Sequence, residues 1–183
     1  MHMLTPKKHG FTVVELLVVI VVIGILAAIT IASYLWLNRD AQAAHTVVNA
    51  NQYIKSLDTY KSKFGQYPVT ATFACVGSYP AITGSPANAC YSVNGGNSSS
   101  PTSTAAFNSE MQKVGLQPTV FTNSVSYTSG SYTYVMRGLR YSSNGRQYQL
   151  WWYFQGTREC GVPGASRTAN TIQDYTYCTI TVS

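Results

Sequence analysis

Charge is scarce in this chain: Asp, Glu, Lys and Arg together make up 10% of its 183 residues, against about a quarter in ordinary soluble proteins. The surface is therefore expected to be polar but largely uncharged, carried by Ser, Thr, Asn and Tyr. Histidine is nearly missing, with His2, His9 and His45 the only three, and the six acidic residues are scattered. No Cys-x-x-Cys and no Cys/His cluster occurs, which excludes the usual metal-binding spacings. Groups this sparse do not converge on a catalytic site, so neither an enzyme nor a cofactor is expected. Asn94-Gly95-Gly96-Asn97 lacks the strand, helix and lysine of a phosphate loop and reads as a flexible loop.

One feature is abundant. From Phe11 to Leu37 the chain runs FTVVELLVVIVVIGILAAITIASYLWL, with Glu15 as the only charge. About 20 such residues cross the apolar core of a bilayer as a helix. Lys7 and Lys8 precede the run, and past Leu37 Arg39 is offset by Asp40, so the positive-inside bias sets the N-terminus in the cytoplasm and the remainder outside. A secretory signal would have a shorter run followed by a small-residue cleavage site; here the distinctive residues come before the run. Glu15 is the anomaly, because an unpaired carboxylate in hydrocarbon costs about 2.5 kcal/mol or more and is rarely kept without a partner.

The residues Gly10-Phe11-Thr12-Val13-Val14-Glu15, preceded by Lys7 and Lys8, resemble the cleavage motif of type IV prepilins and pseudopilins. The resemblance implies that residues 1–10 are a leader removed by a prepilin peptidase between Gly10 and Phe11, and that Phe11 is then N-methylated. It further implies that the Glu15 carboxylate pairs with the α-amino group at Phe11 of an adjoining subunit, which would give its burial a charge partner in low dielectric. The implied partners are other copies in a helical homopolymer, the peptidase, an inner-membrane assembly platform, and membrane lipid before assembly. One departure from the family is Ala32, which stands where many members carry a helix-bending proline; Gly24 and Thr30 remain as weak points, and a straighter or differently bent helix is expected.

Loss of Lys7 and Lys8 with the leader leaves 10 basic and 6 acidic residues, a net charge of +4, which is too small an excess to demand nucleic acid. Beyond the apolar run, Ala41, Ala44, Val47, Val48, Ile54, Leu57, Tyr60 and Phe64 recur at spacings of mostly three and four, the pattern of a helix laid on a core, and Gly65 and Pro68 stop it. Residues 69–106 are rich in Ser, Thr, Ala, Gly and Asn and read as a long, partly irregular loop. A short helix is expected at Phe107–Val114. From Val125 onward the chain alternates in strand-like runs, with Asn144-Gly145 as a hairpin turn.

The expected fold is thus α+β: a transmembrane and then amphipathic N-terminal helix packed on a small antiparallel sheet of three or four strands, the roll that the resemblance also implies. Its parts are an apolar helix at 11–37 and a head at 38–183, with helix 38–64, the loop at 69–106 and sheet from about 125 to 183. Cys75, Cys90, Cys160 and Cys178 all lie in the exported part and read as disulfides of an oxidising compartment. Four cysteines allow three connectivities; sequential pairing, with Cys160 joined to Cys178, is preferred.

Two further features invite a ligand. Arg137, Arg140 and Arg146 lie among Tyr132, Tyr134, Tyr141, Tyr148, Trp151, Trp152 and Tyr153, the composition that holds single-stranded nucleic acid; alternating aromatics in a strand are more simply core. Asn97-Ser98-Ser99 is a glycosylation sequon. The expected function is a structural subunit of a type IV pilus that serves adhesion, twitching motility or DNA uptake. Its alternatives are a pseudopilin of a type II secretion system and a minor pilin with a ligand- or DNA-binding role. The expected location is the cytoplasmic membrane before assembly and an extracellular filament after it.

Overall fold

The computed structural model describes residues 12–97 and 101–183; Gly10 and Phe11, Lys7 and Lys8, and the Ser98 and Ser99 of the sequon lie outside them. The chain divides into two units, Met1–Asp40 and Ala41–Ser183. Helix α1 spans Val13–Phe64. Its start is set by Thr12 and its end by Gly65, which takes φ +78° and donates its N–H to the Lys61 carbonyl at 2.8 Å. That left-handed closure is the habitual glycine C-cap, and Lys61 and Lys63 in the last turn complement the negative end of the helix dipole.

In the first unit the hydroxyls within the apolar run turn back onto the helix. Thr30 Oγ1 donates to the Ala27 carbonyl at 3.0 Å and Ser33 Oγ to the Ile29 carbonyl at 3.0 Å, so neither is left unpaired in apolar surroundings.

In the second unit α1 buries Thr46, Asn49, Ala50, Tyr53, Leu57 and Tyr60. This stripe differs from the expected one. Of the eight apolar positions only Leu57 and Tyr60 are buried, Val47 and Ile54 pack half-buried against the core, and Val48 is 63% exposed. The reason is polar: Asn49 Oδ1 accepts from Thr119 Oγ1 at 3.0 Å and the Tyr53 hydroxyl accepts from the Thr119 N–H at 3.4 Å. Satisfied polar groups bury at little cost, and counting apolar residues cannot see them.

The strands are β1 (Ala74–Val76), β2 (Tyr91–Val93), β3 (Gly96–Asn97), β4 (Val125–Ser129), β5 (Tyr132–Met136), β6 (Leu139–Ser143), β7 (Tyr148–Gln155), β8 (Ser166–Asn170) and β9 (Tyr175–Val182), with helix α2 (Pro101–Gln112) between β3 and β4. They form two antiparallel sheets, one of five strands in the order β1-β6-β7-β9-β8 and one of four in the order β3-β2-β5-β4. The expectation of one sheet drawn from residues 125–183 is corrected on two points. The segment 69–106 contributes β1, β2 and β3, and β4 and β5 separate into the smaller sheet. Strands of two or three residues carry too little alternation to be read from sequence, and only pairing with longer neighbours fixes them, as in Cys75 opposite Arg140 and Ser92 opposite Val135. Helix α2 also begins before Phe107; among its described residues Phe107 and Met111 are buried as the spacing requires, and Thr104 is buried with them.

Strand β7 alternates strictly, with Tyr148, Leu150, Trp152 and Phe154 buried. They join Tyr53, Leu57, Phe107, Leu139 and Tyr141 in one core. Between β6 and β7 the Asn144 Oδ1 accepts the N–H groups of Arg146 and Gln147, each at 3.0 Å, and Gly145 takes φ +92°. At Gly138 (φ +50°) any side chain would collide, because a Cβ would lie 2.6 Å from both Phe121 Cγ and the Tyr79 hydroxyl.

Candidate functional site

The first candidate is the start of α1. Thr12 is the N-cap: its Oγ1 accepts the Glu15 N–H at 3.2 Å, while Glu15 Oε2 accepts both the Thr12 N–H and the Thr12 hydroxyl at 2.8 Å. This reciprocal pair is a capping box. Within one chain the Glu15 carboxylate is therefore held against the helix end by Thr12, a residue that reading for the cleavage motif passes over. The signal was legible, since Thr-x-x-Glu ahead of an apolar run is the capping-box pattern.

The helix that follows is long and apolar enough to cross a membrane, with an 18-residue window of mean hydropathy 3.0 and none of that window buried. Ile20, Ile23, Leu26 and Ile29 are each more than half exposed. Contiguous apolar surface of this extent marks a membrane or protein contact.

The second candidate, the arginine and aromatic surface, separates when seen in three dimensions. Arg137 is 1% exposed; its Nη2 donates to the Phe121 carbonyl at 3.0 Å and its guanidinium lies 5.2 Å from the centre of the Tyr79 ring. Burial holds its pKa below the ordinary arginine range. A buried guanidinium cannot meet a ligand arriving from solvent, so Arg137 is withdrawn as a contact residue. Arg140 is half-buried among the rings of Phe73, Tyr91 and Trp151, at 4.2, 4.9 and 5.8 Å, and its Nη1 donates to the Tyr153 hydroxyl at 3.2 Å. It fastens aromatics together. Of the three only Arg146 is exposed, in the β6–β7 turn. The aromatics divide likewise: Tyr141, Tyr148 and Trp152 are core, while Tyr132 is exposed.

The cysteines are joined as Cys75–Cys90, with Cα atoms 5.4 Å apart, and Cys160–Cys178, at 5.6 Å. Cys75 sits in β1 of the larger sheet and Cys90 immediately precedes β2 of the smaller, so that bridge ties the two sheets.

A groove of about 510 Å³ lies between the 66–71 segment and α2, lined by Tyr60, Gln66, Tyr67, Val69, Phe107 and Glu110 among others. The Tyr60 hydroxyl donates to Glu110 Oε2, and Lys113 Nζ bridges both Glu110 oxygens at 2.6 and 2.8 Å. Burial and then the Glu110 bond push the Tyr60 phenol up to about 12, whereas Lys113 and then Tyr60 hold the Glu110 carboxyl below its ordinary value. The carboxylate is thus committed, and no groups among the described residues gather for metal binding.

Residues 5–31, which contain Thr12, Glu15 and most of the exposed apolar run, match the prokaryotic N-terminal methylation motif. Over its N-terminal segment the chain is similar to type IV pilins and to a secretion pseudopilin. It is 33% identical over 74 residues to the type IV major pilin protein PilE1 of Neisseria gonorrhoeae, covering 40% of this chain and 45% of that protein. A fimbrial protein of Neisseria meningitidis is 32% identical over 77 residues, 42% of this chain and 45% of its own length. The type II secretion system core protein G of Escherichia coli K12 is 35% identical over 66 residues, 36% of this chain and 46% of that protein. The chain spans just under half the length of these curated relatives. No solved structure gives a significant match. The α+β arrangement, a long apolar N-terminal helix with antiparallel sheets, is that of a pilin.

Proposed function

We propose that this chain is a structural subunit of a type IV pilus, made as a membrane-anchored precursor with its N-terminus in the cytoplasm and assembled into an extracellular filament. The observation that carries the proposal is the unburied run of α1, with a mean hydropathy of 3.0 over 18 residues. Lipid can cover such a surface before assembly, and the same runs of other copies can cover it afterwards. The match to the methylation motif supports cleavage between Gly10 and Phe11 and methylation at Phe11.

Glu15 then has two successive partners. In the single chain Thr12 holds it; in the filament the α-amino group at Phe11 of a neighbouring copy supplies the opposite charge, which is worth most where dielectric is low. Glu15→Val tests this. The variant should be cut normally and retained in the membrane, because a charge has been removed from an apolar run, yet it should form few or no filaments by electron microscopy of sheared cells. Wild-type filament numbers at an equal pool of mature subunit would contradict the pairing.

A second reading is favoured by the similarity to the secretion core protein G, which covers this chain almost as far as the pilin similarity does. A secretion pseudopilin would form short structures under ordinary expression, and its gene would neighbour a secretin and several further pseudopilins, whereas a pilus subunit would give long surface filaments beside a retraction ATPase. Adhesion, twitching and DNA uptake are separate outcomes of the pilus reading. With Arg137 buried and Arg140 enclosed among rings, Arg146 is the one arginine of the three that faces solvent for DNA contact.

A further inference from the structure

The two sheets of the second unit share no strand ladder, so something other than backbone pairing must hold the smaller on the larger. On one side it is the Cys75–Cys90 bridge. On the other it is a stack of tyrosines. Tyr127 of β4 lies against Tyr175 of β9 with ring centres 4.7 Å apart and planes 13° from parallel, and against its cross-strand partner Tyr134 of β5 at 4.8 Å and 17°. Tyr134 in turn meets the ring of Tyr132 at 6.3 Å. Tyr127, Tyr134 and Tyr175 are half-exposed and Tyr132 is 55% exposed.

We propose that Tyr127 and Tyr175 are an oxidative cross-linking site, at which hydrogen peroxide acting through a one-electron oxidant joins the two sheets by a dityrosine bond. Each phenol loses one electron and one proton to give a phenoxyl radical. The radicals couple through ring carbons ortho to oxygen, forming one C–C bond, and each coupled carbon returns its hydrogen to the phenol oxygen. The protein loses two hydrogen atoms in all, and the peroxide takes up two electrons and two protons to become two waters.

Three observations make this pair the coupling site. Nearly parallel rings with centres 4.7 Å apart hold the two phenols side by side, so that rotation of the side chains alone is needed for their ortho carbons to meet. Tyr132, the exposed end of the row, lets an oxidant too large to reach Tyr127 act through successive rings. The pair also joins residues 48 positions apart in sequence on different sheets, so the bond would close the side of the inter-sheet contact opposite the disulfide. A thiol reductant that opens Cys75–Cys90 would leave it intact.

The test uses the purified full-length chain in detergent, treated with hydrogen peroxide and a haem peroxidase, reduced and digested. The expected product is a non-reducible peptide pair joining β4 to β9, lighter by two hydrogens and carrying dityrosine fluorescence. It should disappear in Tyr127→Phe and Tyr175→Phe, which keep the rings and the stack, and persist in Tyr132→Phe, more slowly formed. Cross-links only between molecules through Tyr132 would overturn the proposal. So would a link confined to Tyr127 and Tyr134, which would leave the sheets unjoined, or an intramolecular β4–β9 link that survives in Tyr127→Phe.

Discussion

Residues 13–40 and residues 41–183 solve opposite problems. In the first unit the side chains are almost all apolar and lie exposed along the helix; in the second a polar, sparsely charged surface encloses a core of Trp152, Tyr141, Tyr148, Leu57, Leu139 and Leu150, with two disulfides. One unit needs other molecules to cover it, and the other completes itself. On the proposed reading, assembly information and folding information are kept in separate stretches of one chain, even though a single helix, Val13–Phe64, runs through both.

Substitutions should therefore sort by unit. The largest expected effect on filament number is that of a charge in the exposed run. Leu26→Lys adds about 2.5–3.5 kcal/mol to membrane insertion and should abolish filaments, while the denaturation midpoint of the second unit, followed by tryptophan fluorescence in detergent, stays where it was. A drop in that midpoint would break the separation. The converse change is Trp152→Ala, which removes a fully buried ring and should cost about 3–5 kcal/mol in the same denaturation, with the precursor still retained in the membrane.

A step smaller, replacing Cys160 and Cys178 together by Ser should cost about 3 kcal/mol in the chain-entropy picture, since the bridge spans a sequence separation of 18. Smaller again is the alkaline limit. Tyr60 is raised to about 12 and Tyr79, Tyr141 and Tyr148 are also raised, burial being the first cause in each. A tyrosine raised in the folded state binds its proton more tightly there than in the unfolded chain. Its contribution is fully present below the unfolded value near 10 and is lost as pH rises through the folded value. Stability of the second unit should fall progressively above pH 10, and Tyr60→Phe should flatten the part of that fall between 10 and about 12.

The sequence made some of this plain and hid the rest for identifiable reasons. The apolar run and the Gly10-to-Glu15 register could be read because they depend on consecutive residues. The alternation of Tyr148, Leu150, Trp152 and Phe154 and the Asn144-Gly145 turn are local in the same way. The buried stripe of α1 was misplaced because Thr46, Asn49 and Ala50 look polar or small; Thr46 returns its hydroxyl to the Gln42 carbonyl, and only Thr119, 70 residues from Asn49, reveals why Asn49 is inside. The smaller sheet was missed because Tyr91–Val93 and Gly96–Asn97 are strands only through their pairing. The arginines misled because composition gives proximity in sequence but not direction: within four positions Arg137 points into the interior while Arg140 lies among rings at the partly open surface.

The central claim of the proposal is that the leader is removed at Gly10 and that the exposed apolar helix is then handed from lipid to other copies. Intact-mass and N-terminal peptide mass spectrometry of the membrane-held and filament pools tests it most directly. The account predicts a chain that begins at Phe11 with one added methyl group in both pools, and an uncut chain when Gly10 is replaced by a bulky residue such as Leu. A mature protein beginning at Met1, or filaments of normal number from the uncut Gly10→Leu chain, would contradict it.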